Sequence, residues 1–304
     1  MKKLVCSILI IMAGLFVVDR IGGEVMWWVN QHTQENAGLK IRTMVNEVNA
    51  DILFLGTSRC NRHYVPSIIS DSTGMSAYNG GIDASDNIYA HYTLLNLILP
   101  RYIPKVICLE IAENDFTDPR EPFSTVSFFA PYFGRNEQSD SIFRLAKLYW
   151  HYKLFHLYRF NAKATSNIAG LIATPANVGK DGYVPSPQPT HLINCIPAQA
   201  EIPTGVNYQK IEFLQRFISK CKQNNIKLIL TISPSFSVVR DSHYKILKDI
   251  AEKNSIPFLD YHTQGIFLNH SEYFEDKVHL WDKGARLYSS MFAHDLNQIL
   301  QDNL

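Results

Sequence analysis

Short apolar runs alternate with amphipathic stretches along most of this chain. The runs at 52–55 (ILFL), 105–111 (KVICLEI) and 226–233 (IKLILTIS) are apolar at nearly consecutive positions. That is the pattern of strands buried on both faces. Two briefer strands are predicted at 76–79, ending at Gly80-Gly81, and at 256–260, introduced by Ile256-Pro257. Between them, 83–99, 208–224, 241–254 and 282 to about 300 carry apolar residues near helical spacing. In the first of these helices Ile88, Leu94, Leu95 and Ile98 share a face, Asp83 or Ser85 supplies a cap, and Pro100 closes it. A shorter helical stretch, 65–70, follows the first strand, and Asp282 caps the last helix. Strands alternating with helices of this length predict βαβ units and one five-stranded parallel sheet covered on both faces.

The alternation is interrupted at 116–205. This stretch is crowded with aromatics (Phe128, Phe129, Tyr132, Phe133, Tyr149, Trp150, Tyr152, Phe155, Tyr158, Phe160) and ends in the proline-rich 183–189. Residues 141–160 read as helix. The whole reads as an insertion, a lid or a substrate platform, whose aromatics pack mainly into core. Proximity to the N-terminal segment also opens a membrane-facing role.

That segment begins Met1-Lys2-Lys3, continues uncharged over 4–18, and breaks at Asp19-Arg20. Apolar character then returns through Ile21 and 25–29, with Trp27-Trp28 suited to a membrane interface. Two lysines before such a run describe an export signal. No small-x-small cleavage site follows Val18, so an uncleaved signal anchor is preferred over a cleaved signal peptide; both place the rest of the chain outside the cytoplasm. The expected division is 1–30 anchor or signal, 31–50 stalk or first helix, 51–115 with 206–304 the α/β domain, and 116–205 the insertion.

At 304 residues, 46% hydrophobic and 19% charged, the chain can bury a large core. Its formal charge of +1 offers no broad basic surface, which argues against nucleic acid as a partner. Five scattered cysteines form no C-x-x-C and demand no disulfide, although a Cys195–Cys221 pairing stays open. Cys108 reads as a small buried hydrophobe. His63, His91, His243, His262 and His270 have no metal-ligand spacing and read as surface or packing residues; no metal or other cofactor is called for.

Gly56-Thr57-Ser58-Arg59 ends the first strand, where α/β sheets place ligands. Alone, Ser58 is equally a turn or cap residue. Far downstream, Asp276-Lys277-Val278-His279 lies between the last strand and the last helix, in a loop that returns to the same sheet edge. Three residues apart, Asp276 can hold His279 in the tautomer whose Nε2 accepts the Ser58 proton. The loops after the second and third strands bring Gly80-Gly81 and Asn114 to that edge. A glycine N–H, the Asn114 amide and the Ser58 N–H are suitable oxyanion donors. Arg59 is either an ion-paired residue of the first helical turn or a guanidinium for a substrate carboxylate or phosphate. Asp115 reads as a loop support.

In this order, Gly56-x-Ser58, the glycine pair, Asn114-Asp115 and Asp276-x-x-His279 resemble the four blocks of the SGNH/GDSL hydrolase superfamily over about 51–300, the insertion excepted. The resemblance implies a flavodoxin-like three-layer α/β/α sandwich, a Ser58–His279–Asp276 triad acting on esters, and an oxyanion hole of Ser58, a glycine and Asn114. A Tyr-Asn-x-Gly pattern selects Gly81, leaving Gly80 and Arg59 as residues near the substrate. Thr57 stands where the family has Asp, and Ala112 where it has Gly. These departures resemble the exported, membrane-linked branch that handles cell-envelope acyl groups, including DltD-like and alginate-acetylation-like proteins.

Three functions follow as expectations. The first is an exported esterase removing acetyl or another acyl group from a glycan or envelope component. The second is an O-acyltransferase with the same triad. The third is a non-catalytic assembly protein keeping the fold.

Overall fold

The computed structural model describes residues 1–85, 88–112, 115–116, 127–173, 178–189, 198–199, 205–238, 244–262 and 264–301. Its centre is a parallel sheet of β1 (Ile52–Leu55), β2 (Ala77–Asn79), β3 (Val106–Glu110), β5 (Lys227–Ile232) and β7 (Phe258–Asp260), in the order β2-β1-β3-β5-β7. In register, Ile52 faces Ala77 on one side and Val106 on the other, Val106 faces Lys227, and Leu230 faces Phe258. This is the flavodoxin-like order, and its switch point lies between β1 and β3. Two short strands, β4 (Ala198–Gln199) and β6 (Ser237–Val238), pair separately.

The consecutive apolar residues divide by parity between two cores. Leu53, Leu55, Ile107, Leu109, Leu228, Leu230 and Ile232 face one side. There they meet α2 (Asn36–Asn46), α5 (Ile88–Ile98), α9 (Tyr208–Gln223) and α10 (Lys245–Lys253). Ile52, Phe54, Val106, Cys108 and Ile229 face the other, against α4 (Pro66–Thr73) and α11 (Asp282–Gln301), with the short α3 (Ser58–His63) at the sheet edge. The architecture is therefore the α/β/α sandwich that the pattern predicts. α2 is not a free stalk, since Ile41 and Met44 belong to the first core.

On the second face, side chains turn polar toward the C-terminal edge. Val106 and Cys108 are followed by Glu110, and Ile229 by Thr231 and Ser233, all buried. That gradient places a polar floor under α3.

The aromatic insertion is helical but broken. Residues 141–160, predicted as one helix, form α6 (Ser141–Leu145), α7 (Tyr149–Leu154) and a 3-10 turn, Leu157–Phe160, followed by α8 (Ala164–Ala169). Lys147 takes a left-handed φ of 57° and ends the first piece. Breaking the helix lets Phe143 and Tyr152 pack edge-on at 5.2 Å, with Phe133 5.5 Å from Phe143. These rings are continuous with the first core. The N-terminal segment is one unbroken helix, α1 (Lys2–His32), with the Asp19-Arg20 break inside it. It is long and apolar enough to cross a membrane, with a mean hydropathy of 2.3 over its most apolar window. Cys221 is a free, buried thiol, and Cys195 lies outside the described residues.

Candidate active site

β1 ends at Leu55, and the chain turns through Gly56 and Thr57 so that Ser58 is the first residue of α3. The Ser58 N–H, at the first helical position, has no intrahelical carbonyl to bond. On the opposite side of the edge, the 274–280 loop is pinned by an antiparallel bridge between Phe274 and Leu280 and by Glu275 N–H donating to His279 O at 2.8 Å. Phe236 N–H donates to Lys277 O at 2.8 Å from the loop after β5.

This scaffold brings together three of the residues singled out in the sequence. Ser58 Oγ lies 2.8 Å from His279 Nε2, and His279 Nδ1 lies 2.8 Å from Asp276 Oδ2. A carboxylate accepts only, so Nδ1 carries the ring proton and Nε2 accepts the Ser58 O–H. Asp276 Oδ1 accepts the N–H groups of Val278 and His279, each at 2.8 Å. Burial pushes the Asp276 carboxyl up, but hydrogen bonds from the His279 ring and these amides outweigh it and bring the group down to about 2. Asp276 therefore stays ionised when an imidazolium forms beside it. The His279 and Asp276 side chains are 19% and 53% exposed, so the site is open to water.

Of the two readings of Arg59, the structure has the ion-paired residue of the first helical turn: it is buried, donates from Nη2 to Ile111 O at 2.8 Å, and pairs with Glu110 Oε1 at 3.3 Å. Two other sequence expectations change. The second glycine's amide, assigned above to an oxyanion, is already engaged: Gly81 N–H donates to Asn79 Oδ1 at 3.0 Å. Gly80 N–H donates to Phe54 O at 2.9 Å, and this glycine is buried beside Met44 and Leu55. Both glycines are needed for close approach instead. A Cβ on Gly80 would stand 2.5 Å from Met44 Sδ and 2.8 Å from Phe54 O, and one on Gly81 would collide with the Asn61 backbone. Asn114 lies outside the described residues. Asp115 supports its loop as expected, accepting Ala112 N–H at 2.8 Å.

Beneath the three aligned side chains lies a buried polar chain that the sequence reading passed over. Leu280 N–H donates to His63 Nε2 at 2.9 Å, His63 Nδ1 bonds Ser233 Oγ at 2.8 Å, and Ser233 Oγ donates to Glu110 Oε1 at 2.7 Å. Tyr64 donates to Glu110 as well. Because Nε2 accepts, His63 is neutral, and burial, with His279, Arg59 and Arg62 nearby, holds its pKa well below 6.5. The residue next to His279 thus hangs from α3, the helix that carries Ser58. The one sequence signal was position: His63 ends the short helix that Ser58 begins. A second buried cation supports the glycine loop. Lys40 Nζ donates to Asn61 Oδ1 and Gly81 O, each at 2.5 Å, and burial lowers its pKa to about 8.

The proline-rich end of the insertion borders the site. Asn79 N–H donates to Asp181 O at 2.8 Å, Arg62 Nη1 to Ser186 Oγ at 3.1 Å, and Tyr183 O–H to Asp282 Oδ1 at 3.0 Å. Among the described residues no cluster of His, Cys, Asp and Glu could hold a metal ion.

The buried histidines give a pH dependence. His63 and His91 are both neutral in the fold, burial bringing His91 down to about 4. The unfolded chain takes up these protons below about pH 6.5. Their contribution to stability is therefore full above that pH and is lost as pH falls, by about 1.4 kcal/mol per pH unit for each. Glu110, pushed up from 4.5 by burial, acts in the opposite sense above its ordinary value. The comparison with His91→Leu isolates one histidine. Urea unfolding at pH 7 and pH 5 should show wild type losing more stability than the variant by about one proton's worth. Equal losses would contradict a buried neutral His91.

No protein-family model matches the chain, and no curated protein matches it. Among solved structures it is similar to one assigned to the G-D-S-L lipolytic family from Desulfitobacterium hafniense DCB-2. That match has 10% identity and a TM-score of 0.40, and covers 80% of this chain and 98% of the other. A likeness of this size carries no functional weight.

Proposed function

We propose that the chain is a serine hydrolase of SGNH type, held at a membrane by α1 with its α/β domain outside the cytoplasm. Its substrate is an O-acyl ester, acetyl by preference, on a glycan or other cell-envelope component, as in the exported envelope-acting branch that the sequence resembles. The single observation that carries the reading is the unbroken line of Ser58, His279 and Asp276, with 2.8 Å at both joints.

The chemistry follows from that line. Ser58 Oγ attacks the ester carbonyl while His279 Nε2 takes its proton, and the ionised Asp276 stabilises the imidazolium. The carbonyl oxygen becomes an oxyanion, for which the unbonded Ser58 N–H is a donor among the described residues. His279 then returns the proton to the departing sugar hydroxyl as the C–O bond breaks. Water attacks the acyl-Ser58 carbonyl, His279 takes its proton, and the carboxylic acid leaves as Ser58 is restored.

The same acyl-enzyme could pass its acyl group to a sugar hydroxyl. The exposure of Asp276 and His279 favours water as the acceptor, since transfer requires its exclusion. Acetylated glycan incubated with and without an acceptor sugar tests this. Free acetate should appear at the same rate in both. Acetyl on the acceptor with no acetate released would replace hydrolysis by transfer.

A further inference from the structure

The uncharged part of α1, from Leu4 to Val18, is about 15 residues, or roughly 22 Å of helix. A bilayer's hydrocarbon core is about 30 Å thick. The helix is short by about 8 Å, which is roughly the five residues that follow. Those residues, Asp19 to Gly23, are the ones that the insertion grips. Asp19 accepts the N–H groups of His156 at 2.8 Å and Leu157 at 3.1 Å. Arg20 Nη1 pairs with Asp19 Oδ2 at 2.9 Å and donates to Leu154 O at 3.2 Å. Gly22 and Gly23 make room for the contact, since a Cβ there would stand 2.8 Å from Leu157 Cδ1 and 2.5 Å from His156 Cβ. The charged break is thus neutralised by its own ion pair and by the insertion's backbone. It no longer marks where the apolar span must end.

Around this grip the surface is apolar. Trp150, Leu154 and Phe155 on the insertion are 61%, 55% and 55% exposed, and Ile21 and Val25 on α1 are 61% and 55% exposed. The charge of the same region has one sign. Residues 141–173 contain Arg144, Lys147, Lys153, Arg159 and Lys163 and not one Asp or Glu. Lys153 Nζ sits 5.0 Å over the Trp150 ring. Exposed aromatics on a stretch whose own charges are all positive, with Lys153 beside Trp150, match the headgroup level of an anionic bilayer.

We propose that this face of the insertion, centred on Trp150, Leu154 and Phe155, is seated in the headgroup region of an anionic membrane as a collar around α1. The collar supplies the depth that the uncharged part of α1 lacks, and the α/β domain is then fixed against the surface instead of swinging on a tether. The proposal rests on α1 remaining in the bilayer.

The test uses the full chain reconstituted in phosphatidylcholine–phosphatidylglycerol vesicles whose acyl chains carry bromine just below the headgroups. Subtracting the emission of Trp150→Phe from that of wild type isolates Trp150 from the other three tryptophans. Bromolipid should quench the Trp150 component and aqueous iodide should not. A component quenched by iodide alone would overturn the collar, as would one quenched by neither, which means a protein surface covers it. Carbonate extraction reads the anchor separately. Retention with an iodide-quenched Trp150 defeats only the collar, and release of the chain defeats the anchor with it.

Discussion

Ser58→Ala should reduce kcat for a small aryl acetate by on the order of 10⁴-fold or more, and His279→Ala should do the same. Without Oγ there is no nucleophile, and without Nε2 there is no base for it. The losses do not add, because the two groups act in one step; the double variant should be no worse than either single one. Asp276→Ala should retain a trace, since an imidazole without its carboxylate still accepts a proton. The comparison is clean because the fold depends little on Ser58. Its side chain bonds His279 near the surface, while α3 is held by Asn61 N–H to Thr57 O, Asn79 Nδ2 to Cys60 O at 2.7 Å, and the buried chain below. Circular dichroism and the urea midpoint should be unchanged in Ser58→Ala. Full turnover by that variant would remove Ser58 from the chemistry.

Glu110→Ala should destabilise the protein by about 3–5 kcal/mol. Glu110 is fully buried and accepts from Ser233 N–H at 3.1 Å, Ser233 Oγ, Tyr64 and Arg59. Truncating it takes a carboxylate from beside the buried Arg59 guanidinium and strips the Tyr64 and Ser233 donors of that acceptor, and these losses in the interior make up the cost. Arg59→Met in the same background should recover part of that stability, because the buried guanidinium that lost the Glu110 carboxylate is gone. Activity should behave differently. Ser233 loses its acceptor in both variants, so the chain through His63 to Leu280 stays disturbed, and kcat should remain depressed as that stability returns. Recovery of both together would mean that Glu110 serves the fold alone. Urea midpoints and aryl acetate turnover, measured on the same three proteins, separate these outcomes.

Much of this was legible in the sequence because the sheet is buried on both faces. ILFL, KVICLEI and IKLILTIS read as strands of that kind, and the helices between them carry apolar residues near helical spacing. The loop positions of Ser58, Asp276 and His279 then follow from strand direction alone. Less legible was everything decided by parity and packing. Arg59 follows the nucleophile, and its residue type fits an internal ion pair or a ligand equally; one helical residue on from Ser58, its side chain pairs with Glu110. His63 looked like filler because its partner amide, at Leu280, is 217 residues away. Gly81 had the right neighbours for an oxyanion donor, but Asn79 folds back to take its N–H. The 141–160 stretch has apolar residues on every side, so periodicity could not show that it breaks into short pieces that wrap a shared aromatic core. At Asp19-Arg20 the charges read as a break in the apolar run, and nothing in the sequence ties them to the insertion's backbone at Leu154, His156 and Leu157.

The most direct test of the Ser58–His279–Asp276 line is covalent labelling. A fluorophosphonate reacts with a serine only when a base has made it nucleophilic. Mass spectrometry of the labelled, digested full chain should find one adduct, on the peptide containing Ser58, that is absent in Ser58→Ala and strongly slowed in His279→Ala. An unlabelled protein, or an adduct on any other residue, would contradict a catalytic serine at this position.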